Sequence, residues 1–280
     1  MSSKKTALFG LAVLRPVALS ILSLFLVSAC ATAPDPTDPE AVSEYRQIND
    51  PAEPANRAIF AVNEVVDMVV LKPAAGMYRD LVPPPVRDGI HNALNNLRSP
   101  VVLFNDLLQG EFERAGTTIV RFVINSTIGV LGLGDPASSL GFEYHNEDFG
   151  QTLAAWGLEE GPYIMLPILG PSNPRDTVGM VVDLLVDPFN WWAHNTDRDY
   201  VTYTRAGLRA VDERARNYEA LEDLKRSSLD YYATIRSLYR QRRTDEIRNG
   251  DDSAVSPAPG LSTVPDGPRV RKTEEVSLSQ

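Results

Sequence analysis

The stretch His145-Asn-Glu-Asp-Phe-Gly-Gln-Thr-Leu-Ala-Ala-Trp-Gly-Leu-Glu-Glu-Gly-Pro-Tyr-Ile-Met-Leu-Pro-Ile-Leu-Gly-Pro171 decides the architecture. Its first half carries the marks of a short helix: Asp148 is a capping residue, Leu153 and Trp156 fall three apart, and Gly157 supplies a stop. Its second half, Tyr163 to Leu169, is almost wholly apolar. Pro162, Pro167 and Pro171 each lack a backbone donor, however, and forbid an unbroken helix there. The sequence predicts a short extended or hairpin segment near residues 162–170. An apolar segment of this kind needs a cover, either the protein's own helices or lipid.

Outward from this stretch the periodicity is helical, and the predicted fold is mainly α. A helix from about Pro54 to Leu71 places Val62, Val65, Val66 and Val69 on one side and Asn56, Asn63 and Asp67 on the other. In the ordinary arrangement the valines face the core and the amides face water, and Lys72-Pro73 ends the helix. After Pro83-Pro84-Pro85, short helices are expected over Val86 to Leu97 and Val101 to Gln109. Arg114 to Ile128 is apolar nearly all round, with Arg121 its only charge after Arg114; such a helix is either central to a core or in contact with lipid. The glycines between Gly129 and Gly141 mark a loop, and no G-K-[ST] follows Gly132-Leu-Gly134 to cradle a phosphate. Thr177 to Phe189 is again apolar; Asp176, Asp183 and Asp187, seven and four apart, share one helical face. Phe189, Trp191 and Trp192 then form an aromatic cluster of the kind enriched at membrane interfaces. From Tyr200 to Arg248, Arg, Glu and Tyr dominate, as in one or two peripheral C-terminal helices. Residues 249–280, poor in aliphatics, read as a disordered tail.

The chain of 280 residues carries a net charge of −10, which argues against a nucleic-acid partner and against electrostatic adsorption to anionic lipid. Residues 1–29 read as a signal peptide: Lys4, Lys5 and Arg15 precede the apolar run Val17 to Val27, which is shorter than the roughly 20 residues a spanning helix needs. The run ends in Val27-Ser-Ala-Cys30, small residues before the chain's single cysteine, as lipidation requires. Cys30 is the expected lipidation site, residues 30–48 a Pro-rich, extended tether, and residues 49–248 one helical domain. Several acyl chains at about 0.8 kcal/mol per methylene anchor firmly. Thr32, where Asp would favour inner-membrane retention, points to the outer membrane.

No catalytic or metal constellation emerges. His91, His145 and His194 each stand alone, without H-E-x-x-H or C-x-x-C, and Ser126, His145 and Asp148 lack a G-x-S-x-G elbow. The expectation is no enzyme, no cofactor and no metal. The polar stripes are the better lead. A carboxylate facing hydrocarbon costs on the order of 3 kcal/mol. If the body lies in a membrane, Asp176, Asp183, Asp187, Asn63 and Asp67 must therefore face a hydrated channel or a paired partner.

Glu147-Asp-Phe-Gly-Gln-Thr-Leu, Trp156-Gly, Gly161-Pro-Tyr, Leu166-Pro, Gly170-Pro-Ser and Arg175-Asp resemble the centre of the VacJ/MlaA family of outer-membrane lipoproteins. Asn49-Asp-Pro, Glu53-Pro, Asn56-Arg, Leu71-Lys-Pro, Tyr78-Arg, Val82-Pro, Pro85-Val-Arg, Asn95-Asn-Leu, Leu108-Gln-Gly, Arg121-Phe, Asn125-Ser-Thr-Ile-Gly and Gly132-Leu-Gly-Asp fit the same pattern. The ordered set, from about residue 49 to 190, is specific where no single match is. The resemblance implies a ring-like helical body embedded in one membrane leaflet, lipid-anchored on the periplasmic side of the outer membrane. It implies association with a trimeric porin, removal of mislocalised phospholipid from the outer leaflet, and delivery to a periplasmic lipid-binding shuttle, without chemical conversion. A non-transporting porin scaffold and a hydrolase acting on lipid or peptidoglycan are the rival readings.

Overall fold

The computed structural model describes residues 34–249; Cys30, the signal segment and the tail from residue 250 lie outside the described residues. The helices are α1 (Pro39–Ile48), α2 (Glu53–Val66), α3 (Lys72–Leu81), α4 (Pro84–Gln109), α5 (Phe112–Thr127), α6 (Pro136–Ser139), α7 (Phe149–Ala155), α8 (Pro174–Val186), α9 (Pro188–Asn195), α10 (Asp199–Arg216), α11 (Tyr218–Ser227) and α12 (Tyr231–Ile247). Strands β1 (Ile164–Leu166) and β2 (Gly170–Ser172) form an antiparallel hairpin, with Met165 opposite Pro171.

The hairpin is the predicted extended segment, and α2 explains how a proline-interrupted strand keeps its backbone satisfied. Asn56 and Asn63, seven residues apart on α2, act as a second edge. The Asn56 amide accepts from Met165 N at 2.9 Å and donates to Tyr163 O at 3.1 Å. The Asn63 amide accepts from Ile168 N at 2.7 Å and donates to Leu166 O at 2.9 Å. Tyr163 and Met165 are buried with Tyr232 of α12, while Ile168 at the tip is 74% exposed.

Contacts close a circuit. α4 packs on α7, α7 on α8, α8 on α9, α9 on α10, and α10 returns to α4. The tightest crossing is α7 on α8, where a Cβ on Gly179 would meet the backbone nitrogen of Gly150 at 2.3 Å. Only glycine permits that approach. As predicted, Asp148 caps α7, accepting from Gln151 N at 3.0 Å. α5 packs on α4, α3 on α10, and α12 on α7 and β2.

Several boundaries differ from the sequence reading, and the reason is nearly always proline held by packing. Pro73 does not end the first helix. Residues Asp67–Leu71 widen into a π-helical turn in which Lys72 N bonds Asp67 O, five residues back, and α3 continues to Leu81. The two helices expected around residues 98–100 are one: α4 runs through Pro100, clasped by α5, α7 and α10. The helix expected to reach Phe189 stops at Val186; Asp187 and Pro188 start α9, which carries the aromatic cluster. The region from Tyr200 holds three helices rather than one or two. Part of the expected tether is helical: Pro39 fits the first turn of α1, and Asp38 caps it through Glu40 N and Ala41 N.

The polarity of the body is inverted. Val62 and Val65 of α2 and Val69 of the π-helical turn are exposed, Val69 by 66%, and Asn56 on the opposite face of α2 is buried. This reverses the ordinary arrangement of an amphipathic helix and is the one expected if the polar stripe faces inward. α5 repeats the pattern: Ala115, Thr118, Arg121 and Asn125 point inward, while Ile119, Phe122 and Val123 point out. On α8, Val178, Val181, Leu184 and Leu185 are exposed and Asp183 is buried. Among the largest fully buried side chains of the described residues only Val102 is apolar. Scattered apolar side chains are normal on any surface, but whole helical stripes turned outward over a polar interior are not. No helix of the described residues is long and apolar enough to cross a membrane.

Candidate functional site

The polar interior divides into clusters, and α8 links two of them. At its N-terminal end, Asn173 caps the helix through Asp176 N at 2.7 Å. The Asp176 carboxylate accepts from Tyr239 at 2.6 Å and from Arg243 Nη2 at 3.0 Å. Arg243 also grips Asp148 with two hydrogen bonds of 2.6 Å. Burial alone would raise the Asp148 pKa, but Arg243 outweighs it and holds the carboxylate at about 2. α12 is thus fastened to α7 and α8 by one guanidinium. Gly150 leaves the space for it, since a Cβ there would meet Arg243 Nη2 at 2.5 Å.

The second cluster spans the inside of the circuit. Asp183 accepts from Asn105 Nδ2 of α4 at 3.0 Å and from Phe149 N at 3.2 Å, with Arg98 of α4 at 3.8 Å. Asp187 caps α9 through Phe189 N at 2.9 Å and pairs with Arg205 of α10. One turn further along α10, the Arg209 guanidinium donates to Leu94 O at 2.7 Å. Among the described residues it has no carboxylate within ion-pair reach. Burial, then the neighbouring Arg98, lowers its pKa. Tyr144 completes the group. Burial raises its hydroxyl pKa, and Arg98 and Arg209 act on it, yet 40% of its surface is open to water. The ring thus stands beside charged groups and is still partly wetted.

Asp183 is strained electrostatically. Burial pushes its pKa up to about 6, against weaker pulls from Asn105 and Arg98. The sign follows from linkage: the folded state binds this proton more tightly than the unfolded chain. The carboxylate therefore subtracts stability progressively as pH rises from about 4 to 6, by up to about 3 kcal/mol at neutral pH. Asp148 behaves oppositely. Its contribution is complete above about pH 4 and is lost as pH falls through 2. Asp183→Asn is expected to stabilise the protein at pH 7.5 and by clearly less at pH 4.5, read from urea midpoints. An equal destabilisation at both pH values would refute this account.

Of the residues singled out from sequence, Asp176, Asp183 and Asp187 lie along the inward side of α8, and each has a partner. Asn63 clamps the hairpin, and Asp67 pairs with Arg214 Nε at 2.8 Å in the π-helical turn, so neither joins the α8 acids. Phe189 packs against Trp192 with ring centroids 5.5 Å apart; Trp191 and Trp192 are exposed. Ser126, His145 and Asp148 have separate partners, namely Asn96, Asp106 and Arg243. Among the described residues no group of three His, Cys, Asp or Glu could hold a metal. Sequence reasoning missed Arg98, Tyr144, Arg205, Arg209 and Arg243. The single signal available was the excess of Arg after residue 200 opposite the acids of α8.

The family model described as "MlaA lipoprotein" matches residues 48–246. A Haemophilus influenzae protein named "Intermembrane phospholipid transport system lipoprotein MlaA" is 35% identical over 240 residues, 84% of this chain and 92% of its own. The Escherichia coli K12 protein of the same name is 30% identical over 254 residues, 89% of this chain and 95% of its own. A solved structure described as "Structural basis for maintenance of bacterial outer membrane lipid asymmetry" superposes with a TM-score of 0.63 at 31% identity. It covers 71% of this chain and 98% of that one. The match spans the hairpin, the α8 acids and their arginine partners alike, and the chain belongs to the MlaA lipoprotein family.

Proposed function

We propose that this protein carries phospholipid across one leaflet of the outer membrane, removing mislocalised lipid from the outer leaflet and passing it to a periplasmic lipid-binding shuttle. One observation carries the reading: apolar helical stripes are exposed around a closed circuit of helices whose buried side chains are largely polar and charged. A phospholipid needs the same division, with the headgroup at Arg98, Arg205 and Arg209 and the tails excluded from that wall. Asp183 and Asp187 line the passage and hold Arg98 and Arg205 in place. Acylated Cys30 tethers the body to the periplasmic side, with Trp191 and Trp192 at the interface and a trimeric porin as neighbour. Relatives named for intermembrane phospholipid transport, and a fold-mate described by outer-membrane lipid asymmetry, support the assignment.

The test is a pair of cysteine substitutions in the membrane-bound protein, at Tyr144 inside and Val123 outside. A water-soluble maleimide is expected to label Tyr144→Cys and spare Val123→Cys. A bilayer-confined thiol probe is expected to do the reverse. Exchanged labelling sinks the proposal.

A further inference from the structure

A second place of interest lies where α3, the start of α4, α10 and α11 meet, with three arginines balanced by three carboxylates. A cavity of about 360 Å³ is walled there by Tyr78, Arg79, Arg87, Asp88, Arg216 and Glu219, with Asp212 and Tyr218 among its other lining residues. Its carboxylates are already engaged. Glu219 takes Arg79 at 2.9 Å, and Asp88 takes Arg216 at 3.0 Å. Asp212 accepts from Tyr78 at 3.1 Å and from Arg216 at 3.1 Å, with His91 Nδ1 at 2.7 Å.

Arg87 is left over. Its side chain has no hydrogen bond or ion pair among the described residues, and its Nε is buried without a partner. Arg87 is half-buried, and an unpaired buried donor such as its Nε costs about 1–3 kcal/mol, which an acceptor placed in the cavity would relieve. The guanidinium fork fits the oxygens of a phosphate in two-pronged fashion. The cavity also sits at the positive end of the 26-residue helix α4, which favours an anion. Leu81, 75% exposed, and Val86, 52% exposed, lie near Pro84 and Arg87 in sequence without lining the cavity.

We propose that the cavity at Arg87 binds a phosphate group, carried by a lipid headgroup or as free phosphate. The site is separate from the proposed passage, and its failure leaves that reading standing. The experiment is titration calorimetry on the full-length protein in non-ionic detergent, with inorganic phosphate and with monomeric dihexanoyl phosphatidylglycerol as probes. The wild type is expected to bind at least one of them. Arg87→Gln is expected to lose one class of site, weakened at least tenfold, while Arg226→Gln on the exposed surface keeps it. Tighter binding of the short-chain lipid assigns the site to a headgroup; equal affinities assign it to phosphate alone. If Arg87→Gln melts at lower temperature, Arg87→Lys, which keeps the charge and loses the fork, is measured instead, with a loss of at least threefold expected. Undiminished binding in the folded variant, or no binding of either probe to the wild type, overturns the proposal.

Discussion

Arg243→Ala is expected to lower the melting temperature by on the order of 10 °C, the conversion of about 3–5 kcal/mol for a domain of this size. The reason is the Asp148 carboxylate left behind. Arg243 holds Asp148 with two 2.6 Å bonds and Asp176 with one of 3.0 Å, and all three side chains are largely shielded. Removing the cation strands the Asp148 anion beside the close Gly150–Gly179 crossing, while Asp176 keeps Arg175 Nε at 3.1 Å. The loss belongs to the stranded charge rather than to the ion pair itself, since a buried pair replaced whole by neutral groups is often near break-even. Arg243→Met combined with Asp148→Asn, which leaves the Arg175–Asp176 pair intact, is therefore expected to recover most of the fall. Thermal denaturation of the single and double variants measures both. An Arg243→Ala protein within about 2 °C of wild type would show that water or a neighbouring cation compensates.

The same cluster shows where the sequence was legible. Asp148 as a cap, the hairpin between Pro162 and Pro171, and the single face shared by Asp176, Asp183 and Asp187 are local facts, fixed within one or two helical turns. The partner of Asp148 stands 95 residues away in a helix whose own pattern reads as solvent-side, and nothing local connects them. Helix ends at Pro73 and Pro100 were misjudged because tertiary contacts hold a proline that an isolated helix would reject. The direction of α2 is the deepest case. Periodicity tells that Val62, Val65 and Val69 share a side and that Asn56 and Asn63 share another; it does not tell which side meets water. That choice was made by the hairpin, whose strand edge needs the two amides.

Reversing the charge at Arg209 is expected to abolish function in a protein that still folds. Arg209 donates one hydrogen bond, to Leu94 O, and losing it costs about 0.5–1.5 kcal/mol, too little to unfold the domain. Its neighbours are different in kind. Arg98 and Arg205 are committed to Asp183 and Asp187, so Arg209 is the interior cation with no carboxylate of its own. A glutamate there would stand with Glu213 and repel a headgroup phosphate at the point where the proposed passage offers a positive charge. In a strain lacking the native protein, Arg209→Glu is expected to restore clearance of surface phospholipid at least about tenfold less well than wild type, a change equivalent to about 1.4 kcal/mol or more. Arg209→Lys keeps a cation at the same place and is expected to retain at least half of the activity. The measurement is the phospholipid released from whole cells by a surface-confined phospholipase, with melting temperature as the control for folding. Full restoration by Arg209→Glu would move the path of the headgroup away from α10. Loss in both variants would assign Arg209 a structural hold on α4 through Leu94 instead.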